Sequence, residues 1–567
     1  MPIIAVILLP ALLFWLAWYP MQFTQLLFVA LLPWLNYANL NKHSSFLKYY
    51  GILYLSLLSF NITTTWWVWN SSPAGAIAML ALNSLFMLLP FTAFRITAKR
   101  THNITQAFAA LLITWLTFEY LHHRWDLSWP WLTLGNGLVG LPNFIQWYEI
   151  TGTLGGSFVV IIVNLLILRA INNKSNTQLL LPTITLLGLY LLSIGLKSRI
   201  NPKEGTPVNV AVIQPNYDPW NEKFDTYPLA MVNQLWETTK RFTGDSTQVA
   251  IWPETSLVSS INLDNINLDF QVRSLQEHLR NDSLRKNLTL IAGINAVKFF
   301  QSETKPHSDS RPTDDPNYWY IPYNSSIQLD TSKNYKTYHK SKLVPGTEQL
   351  PFVKYLPFLE SLAISLDDNS TTGTLGISDS ATTMYAPNPA APLICYESIY
   401  GDYVRDFVKQ GAQWLAVITN DAWWENSPGY KQHYSYATLR AIEQRKWVAR
   451  SANTGSCGFI NPLGETVKST TWYENRPSKQ SPYQYFWGFP TTSPSQLEAK
   501  FNEIHETDTL KVDPLFPPAN HQTGLNHTLY ANTFQTLYLK TGDLFWLITL
   551  SMIVSLFAFL KSRNSTN

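Results

Sequence analysis

The stretch LLLPTITLLGLYLLSIGL (Leu179–Leu196), continued by KSRINPKEGTP (Lys197–Pro207) and VNVAVIQ (Val208–Gln214), decides how this chain is built. Its first part carries no charge and is long enough, at about 1.5 Å per helical residue, to cross most of the ~30 Å hydrocarbon core of a bilayer. Its second part is charged and punctuated by Pro and Gly, which ends an apolar helix. Its third part is rich in Val and Ile, the composition of a β-strand. Within a few turns of chain the solvent changes from lipid to water.

The same reading, extended toward the N-terminus, finds six further apolar runs: Ile3–Tyr19, Phe23–Leu40, Tyr49–Trp69, Ala74–Phe94, Ile104–Phe118 and Phe144–Leu168. With Leu179–Leu196 they make seven candidate spans ahead of a polar middle, and Leu544–Leu560 is an eighth. The near-zero mean hydropathy averages these two unlike parts. The first run lacks a basic n-region and leads straight into another apolar run, so it reads as a span and not as a cleaved signal peptide.

Lys and Arg are retained on the cytoplasmic side of short connections. They alternate here as seven spans require. Lys42 and Lys48 follow span two, Arg95, Lys99 and Arg100 follow span four, and Arg169 and Lys174 follow span six, whereas the turns at Pro20 and Ser71–Pro73 carry no positive charge. The N-terminus is therefore expected in the cytoplasm and the polar middle on the other side, with Lys561 and Arg563 back in the cytoplasm. Lys197 and Arg199 are a local exception beside a large translocated domain. The connection holding Arg124, Trp125, Asp126, Trp129 and Trp131 faces outward in this scheme, and its tryptophans read as an aromatic belt.

The fold class is thus a polytopic α-helical membrane bundle of about eight helices with a water-facing α/β domain. The expected organisation is a membrane domain over 1–200, an extracytoplasmic α/β domain over 206–490, a connecting segment over 491–541 and a last helix with its tail over 542–567. Candidate strands in the middle are Val208–Gln214, Val249–Trp252, Leu288–Ile294, Ser325–Leu329, Leu393–Cys395, Trp414–Thr419 and Gly458–Asn461, with a helix over Tyr434–Arg450 and an exposed loop over Ser302–Asn317. The two cysteines, Cys395 and Cys457, permit one disulfide at most, and nothing has zinc-ligand spacing; Cys395 reads as a free thiol.

Three segments place reactive groups just beyond β-rich runs: IWPET (Ile251–Thr255), YHKSKLVP (Tyr338–Pro345) and LICYE (Leu393–Glu397). Singly each is weak, because a carboxylate after a strand is usually a cap and a lone cysteine usually a small hydrophobe. Together, in that order, Glu254, Lys340 and Cys395 resemble the Glu-Lys-Cys triad of the nitrilase superfamily. With membrane spans on both sides, WPET, YHKSKLVPGTE, CYE and NDAWW resemble the apolipoprotein N-acyltransferase family over essentially the whole chain, including Pro130–Trp131 and the run Thr536–Asp543. The family commonly has His at the position of Lys342 and Phe-Gly-Glu after Val-Pro, where this chain has Gly346-Thr347-Glu348; Glu348 keeps the eight-residue distance from Lys340.

The resemblance implies a nitrilase-like α-β-β-α sandwich and a bacterial inner-membrane enzyme with its catalytic domain in the periplasm. It implies transfer of an acyl chain from a phospholipid to the α-amine of an S-diacylglyceryl cysteine, by ping-pong through a thioester on Cys395. Glu254 would be the base and Lys340 an oxyanion partner. Glu348, Tyr396 and Glu397 would support or position them, and Trp252, Asn420, Trp423 and Trp424 would meet substrate or lipid. The chemistry fits, since a thiol with pKa near ~8.5 needs a base at neutral pH. No metal, diffusible cofactor or nucleic acid is called for. Two other readings are a membrane-anchored amidase or nitrilase acting on a small nitrogen compound, for which seven spans are excessive, and a non-catalytic lipid-binding protein, against which the intact triad speaks.

Overall fold

The computed structural model describes residues 2–220, 223, 226–332, 334–353, 355–356, 374–385, 387–470, 485–486, 489–490 and 522–564. It divides into two compact units: Met1–Ile200 with Ile442–Arg445 and Gln535–Asn567, and Asn201–Ala441 with Lys446–Phe534.

In the helical unit, each expected span is helical. Among the described residues, five helical stretches are long and apolar enough to cross a membrane: Pro73–Thr101, Ile104–His122, Tyr148–Asn172, Asn176–Ser198 and Leu537–Phe559. The other three runs fall short for visible reasons. Ile3–Ala17 has 15 residues, the second run is split into Leu27–Ala30 and Leu32–Asn41, and Phe46–Thr65 ends in Asn61, Thr63, Thr64 and Thr65. The polar groups of that last helix are used in packing: Ser56 Oγ donates to the Val6 carbonyl at 2.7 Å and accepts from Trp34 Nε1, and Asn83 Nδ2 donates to Asn61 Oδ1 at 2.7 Å. Hydrogen bonds of this kind join helices where hydrophobicity cannot discriminate between lipid and protein.

The charge exception has a structural account. Arg199 Nη2 pairs with Glu149 Oε1 at 2.7 Å, and Lys197 Nζ donates to Asn143 Oδ1 at 2.7 Å. The tryptophans of the connection after helix Ile104–His122 pack differently from an aromatic belt. Trp131 is buried, with Trp67 at 4.8 Å and Trp129 stacked at 5.6 Å, so this pair belongs to a packed aromatic cluster more than to a headgroup belt. Trp125 remains partly exposed against Phe86.

Among the described residues the α/β unit has fifteen strands: β1 Thr206–Gln214, β2 Val249–Ile251, β3 Leu257–Asn262, β4 Thr289–Gln301, β5 Arg311–Pro312, β6 Tyr318–Leu329, β7 Tyr335–His339, β8 Ala390–Ile394, β9 Trp414–Thr419, β10 Val448–Ala452, β11 Gly458–Ile460, β12 Thr466–Ser469, β13 Tyr485–Phe486, β14 Phe489–Pro490 and β15 Thr523–Ala531. One sheet runs β15-β1-β2-β4-β6-β5, with β3 on β4 and β7 on β6, a second runs β12-β11-β10-β9-β8, and β13 pairs with β14 as a separate two-stranded ribbon. Strands β1, β2 and β4 are mutually parallel neighbours, as are β8, β9 and β10. The helices Pro228–Phe242 and Phe270–Asn281 cover the first sheet with Met231, Val232, Leu235, Trp236, Val272, Leu275 and Leu279. Helix Gly401–Lys409 packs on β8. Ser451 Oγ donates to the Ile213 carbonyl at 2.7 Å, tying β10 to β1 across the sandwich. This is the α-β-β-α architecture.

Two local expectations are corrected. The helix expected over Tyr434–Arg450 spans Pro428–Gln444, and Val448–Ala452 is instead a fully buried parallel strand beside β9. Leu439, Ile442 and Val448 set among Arg440, Glu443 and Arg445 suggest one amphipathic helix, but those three charged residues are buried as well. Within the expected connecting segment over 491–541, Thr523–Ala531 is instead a strand that pairs antiparallel with β1. Its Thr523, Leu525, Leu529 and Ala531 alternate inward, but Gly, Asn and His between them mask the period. Most of that segment, 491–521, lies outside the described residues.

Gly293 in β4 shows how tightly the first sheet grips the turn after β2. A Cβ there would lie 2.5 Å from Thr255 N and 2.6 Å from Glu254 Cα, both backbone atoms that cannot swing aside. Gly293→Ala is expected to destabilise the unit by about 1–3 kcal/mol through overpacking. Thermal unfolding of the purified protein would show a lower midpoint, and an unchanged midpoint would refute the close approach.

Candidate active site

Glu254, Cys395 and Asn420 follow the C-terminal ends of β2, β8 and β9, where parallel strands leave a crevice for ligands. The antiparallel β6 and β7 deliver Asn324 and, one residue past the strand, Lys340, whose backbone N–H donates to the Asn324 carbonyl at 2.8 Å. Residues from both sheets therefore converge on one place.

At its centre is a buried charge cluster. Lys340 Nζ donates to Glu348 Oε1 at 2.8 Å and lies 3.2 Å from Glu254 Oε1. Asn324 Nδ2 donates to both of those oxygens, at 2.7 Å to Glu254 and 3.0 Å to Glu348. Glu254 Oε2 accepts from the Asn420 N–H at 3.1 Å, and Glu348 Oε2 accepts from the Val344 N–H at 2.9 Å. Burial would raise the Glu254 pKa, but the field of Lys340, the Asn324 hydrogen bond and Lys223 outweigh it, and the carboxyl is held below its usual value. Burial would likewise lower the Lys340 pKa, yet Glu254, Glu348 and Cys395 hold the ammonium well above its usual value.

Cys395 is a free, partly exposed thiol with φ of 51° at the start of a short 3-10 turn after β8. A non-glycine residue in that region is strained, and such strain clusters where a side chain must be presented sharply. Burial and the Glu254 charge push the thiol pKa up, with Lys340 pulling the other way. The resting pair is therefore a thiol and a carboxylate, and proton transfer must accompany attack.

Glu397 braces this turn. Its Oε2 accepts from the Ile394 N–H at 2.8 Å, and its Oε1 accepts from Tyr338 Oη at 2.5 Å and the Ser341 N–H at 2.7 Å. It thus ties the approach to Cys395 to the loop that carries Lys340. Tyr396 is buried, edge-on to Tyr400 at 5.2 Å. The Lys342 ammonium lies over the Tyr400 and Tyr403 rings at 5.2 and 5.4 Å. Trp423 meets Trp220 at 4.8 Å, and Trp424 meets His433 at 5.5 Å; both are half-buried.

Trp252 is corrected. It is fully enclosed in the core under helix Pro228–Phe242, with Nε1 donating to Thr239 Oγ1 at 2.8 Å, so its side chain packs the sheet and does not face substrate.

Asn324 and Lys223 are site residues that sequence reasoning missed. A polar Asn inside a strand run was the available signal for the first. Lys223 Nζ donates to the Glu254 carbonyl at 3.0 Å and to Thr255 Oγ1 at 2.5 Å; burial pushes its pKa down to about 8 against the pull of Glu254 and Cys395. Nothing periodic marks that lysine in the sequence.

Burial pushes the Glu397 pKa up to about 7, against its hydrogen bonds from Tyr338, Ile394 and Ser341. A carboxyl whose folded pKa exceeds its unfolded value binds more protons when folded, so its contribution to stability is present below about pH 4.5 and is lost as pH rises through about 7. Thermal unfolding followed from pH 5 to 7 should show this downward slope diminished in Glu397→Gln. An undiminished slope would contradict it.

The chain matches two family models: the apolipoprotein N-acyltransferase N-terminal domain over residues 10–166, and carbon-nitrogen hydrolase over residues 209–476, the stretch that holds Glu254, Lys340 and Cys395. It is 29% identical to the apolipoprotein N-acyltransferase of Chlorobaculum tepidum over 81% of this chain and 86% of that one. With the apolipoprotein N-acyltransferase of Geobacter metallireducens it shares 25% identity over 75% of this chain and 77% of the relative, and with that of Rickettsia prowazekii 26% over 74% and 77%.

Proposed function

The chain belongs to the apolipoprotein N-acyltransferase family, and from that premise we propose that it transfers a fatty acyl chain from a phospholipid to the α-amine of an S-diacylglyceryl cysteine at the start of a lipoprotein. The observation that carries the mechanism is the Cys395 thiol, on a strained turn, in the field of a buried Glu254–Lys340 pair.

In the first half-reaction Cys395 Sγ bonds to the ester carbonyl carbon as Glu254 takes the thiol proton. The negative oxygen that forms is stabilised by Lys340 and the Tyr396 backbone N–H. Collapse breaks the ester bond, the lysophospholipid oxygen takes the proton from Glu254, and an acyl thioester remains. In the second half the neutral α-amine attacks the thioester carbonyl while Glu254 accepts its proton. Collapse expels the Cys395 sulfur, which regains the proton, and leaves an amide. Glu348 and Asn324 keep Lys340 and Glu254 in register through both halves.

Apolar helices precede and follow the α/β unit in sequence, which tethers it at a bilayer. Acyl chains can then stay in hydrocarbon, where withdrawing them would cost about 0.8 kcal/mol per CH₂. The charge pattern of the short connections supports a multi-pass protein of the bacterial inner membrane, with a cytoplasmic N-terminus and a periplasmic α/β unit.

The test uses labelled phospholipid and a diacylglyceryl peptide. Cys395→Ala is expected to abolish transfer and Cys395→Ser to leave a slow residue. Lys340→Met should lower kcat by about 100-fold or more, as loss of an oxyanion partner does. Full transfer by Cys395→Ala would overturn the mechanism, and release of free acid or ammonia in place of acylated peptide would favour the amidase reading.

A further inference from the structure

Behind Cys395 lies a buried polar chain that the mechanism above does not use. The Cys395 carbonyl accepts from Ser398 Oγ at 2.8 Å and from His433 Nε2 at 3.1 Å. A carbonyl only accepts, so Nε2 carries a proton. On the far side of the ring, Nδ1 lies 2.9 Å from Asp421 Oδ1. Asp421 also accepts from Thr419 Oγ1 at 2.9 Å and, through Oδ2, from Arg450 Nη2 at 2.7 Å. His433, Asp421, Arg450, Thr419 and Ser398 are all essentially inaccessible to solvent. Burying so many polar groups is costly unless each is satisfied, and this chain ends on one atom, the carbonyl oxygen of the candidate nucleophile.

The consequence follows from the peptide unit. It is planar and trans, so its C=O and N–H point in opposite directions. Whatever fixes the Cys395 carbonyl also fixes the Tyr396 N–H, aimed the other way. At Cys395, with φ of 51°, the chain alone does not favour this orientation.

We propose that His433 and Ser398 are positioning residues for acyl transfer: by gripping the Cys395 carbonyl from behind, they aim the Tyr396 N–H at the oxygen of the tetrahedral intermediate. Asp421 and Arg450 hold the imidazole in place. The turn that carries Trp423 and Trp424 starts at Asp421, and the Trp424 ring stands edge-on to His433, so this support is shared with the aromatic loop. The inference rests on Cys395 being the nucleophile.

The test compares two reactions of the same thiol in the full-length protein. Alkylation of Cys395 by iodoacetamide displaces iodide from a tetrahedral carbon and creates no oxyanion. Acyl transfer from phospholipid does. His433→Ala should lower kcat for transfer by about 100-fold, the lower end of what losing an oxyanion donor costs, while KM and the rate of alkylation stay at their wild-type values. His433→Gln, whose amide can donate to the same carbonyl, should recover part of the loss. Ser398→Ala, a smaller change, should lower kcat in the same selective way by about tenfold and decides the matter if His433→Ala does not fold. Transfer that persists in these variants, or alkylation that falls in parallel with transfer, would overturn the proposal. Wild-type protein that never acylates Cys395 would overturn instead the reading on which it rests.

Discussion

The ammonium of Lys340, buried between the carboxylates of Glu254 and Glu348 with Asn324 bridging both, is the interaction on which the site depends. A buried charge is tolerated only when it is paired and hydrogen-bonded, and removing one partner typically costs about 3–5 kcal/mol because the others are left uncompensated. Lys340 stands at the end of β7, and its partners come from the end of β2, from the loop after Val344 and, through the bridging Asn324, from β6. Strands distant in sequence must therefore meet at one point. The same pairing keeps Glu254 ionised and able to act as a base, and keeps Lys340 charged and able to meet an oxyanion.

Around that cluster, strain is placed where chemistry needs a side chain presented. Both Thr255 and Cys395 have positive φ, at 49° and 51°. Each would cost about 1–3 kcal/mol in isolation. At Thr255 the neighbouring Gly293 lets β4 close over the turn, and Lys223 caps it; at Cys395 the Glu397 carboxylate, Ser398 and His433 hold the turn from three sides. Surrounding hydrogen bonds over-determine two conformations that the chain would not choose. Such bracing suits the proposed mechanism, in which one thiol would take part in two successive acyl transfers.

Much of this was legible in the sequence because the signals were of the kind that survive without neighbours. Apolar runs, joined by connections that alternate between basic and uncharged, marked where the helical unit is helical, and β-rich runs just before Glu254, at Cys395 and just before Asn420 marked the strand ends. What escaped depended on tertiary pairing. Val448–Ala452 reads as the end of a helix because Leu439, Ile442 and Val448 recur among the charges Arg440, Glu443 and Arg445, and only its pairing beside β9 reveals a strand. Thr523–Ala531 is a strand because β1 is there to pair with it. The family resemblance puts Trp252 at the substrate, but alternation along the chain turns its ring into the core. His433 lies one residue before the expected helix start at Tyr434, and its role is set by a carbonyl 38 residues away.

The central claim is that one thiol carries the acyl chain between two substrates. Intact-mass measurement of the purified protein, mixed with phospholipid and no acceptor, tests it directly. The account predicts a mass gain of one acyl chain, mapped to Cys395, that disappears on adding a diacylglyceryl peptide as the same chain appears on the peptide's α-amine. Transfer to the peptide with Cys395 never acylated, or an acyl adduct that the peptide cannot remove, would contradict it.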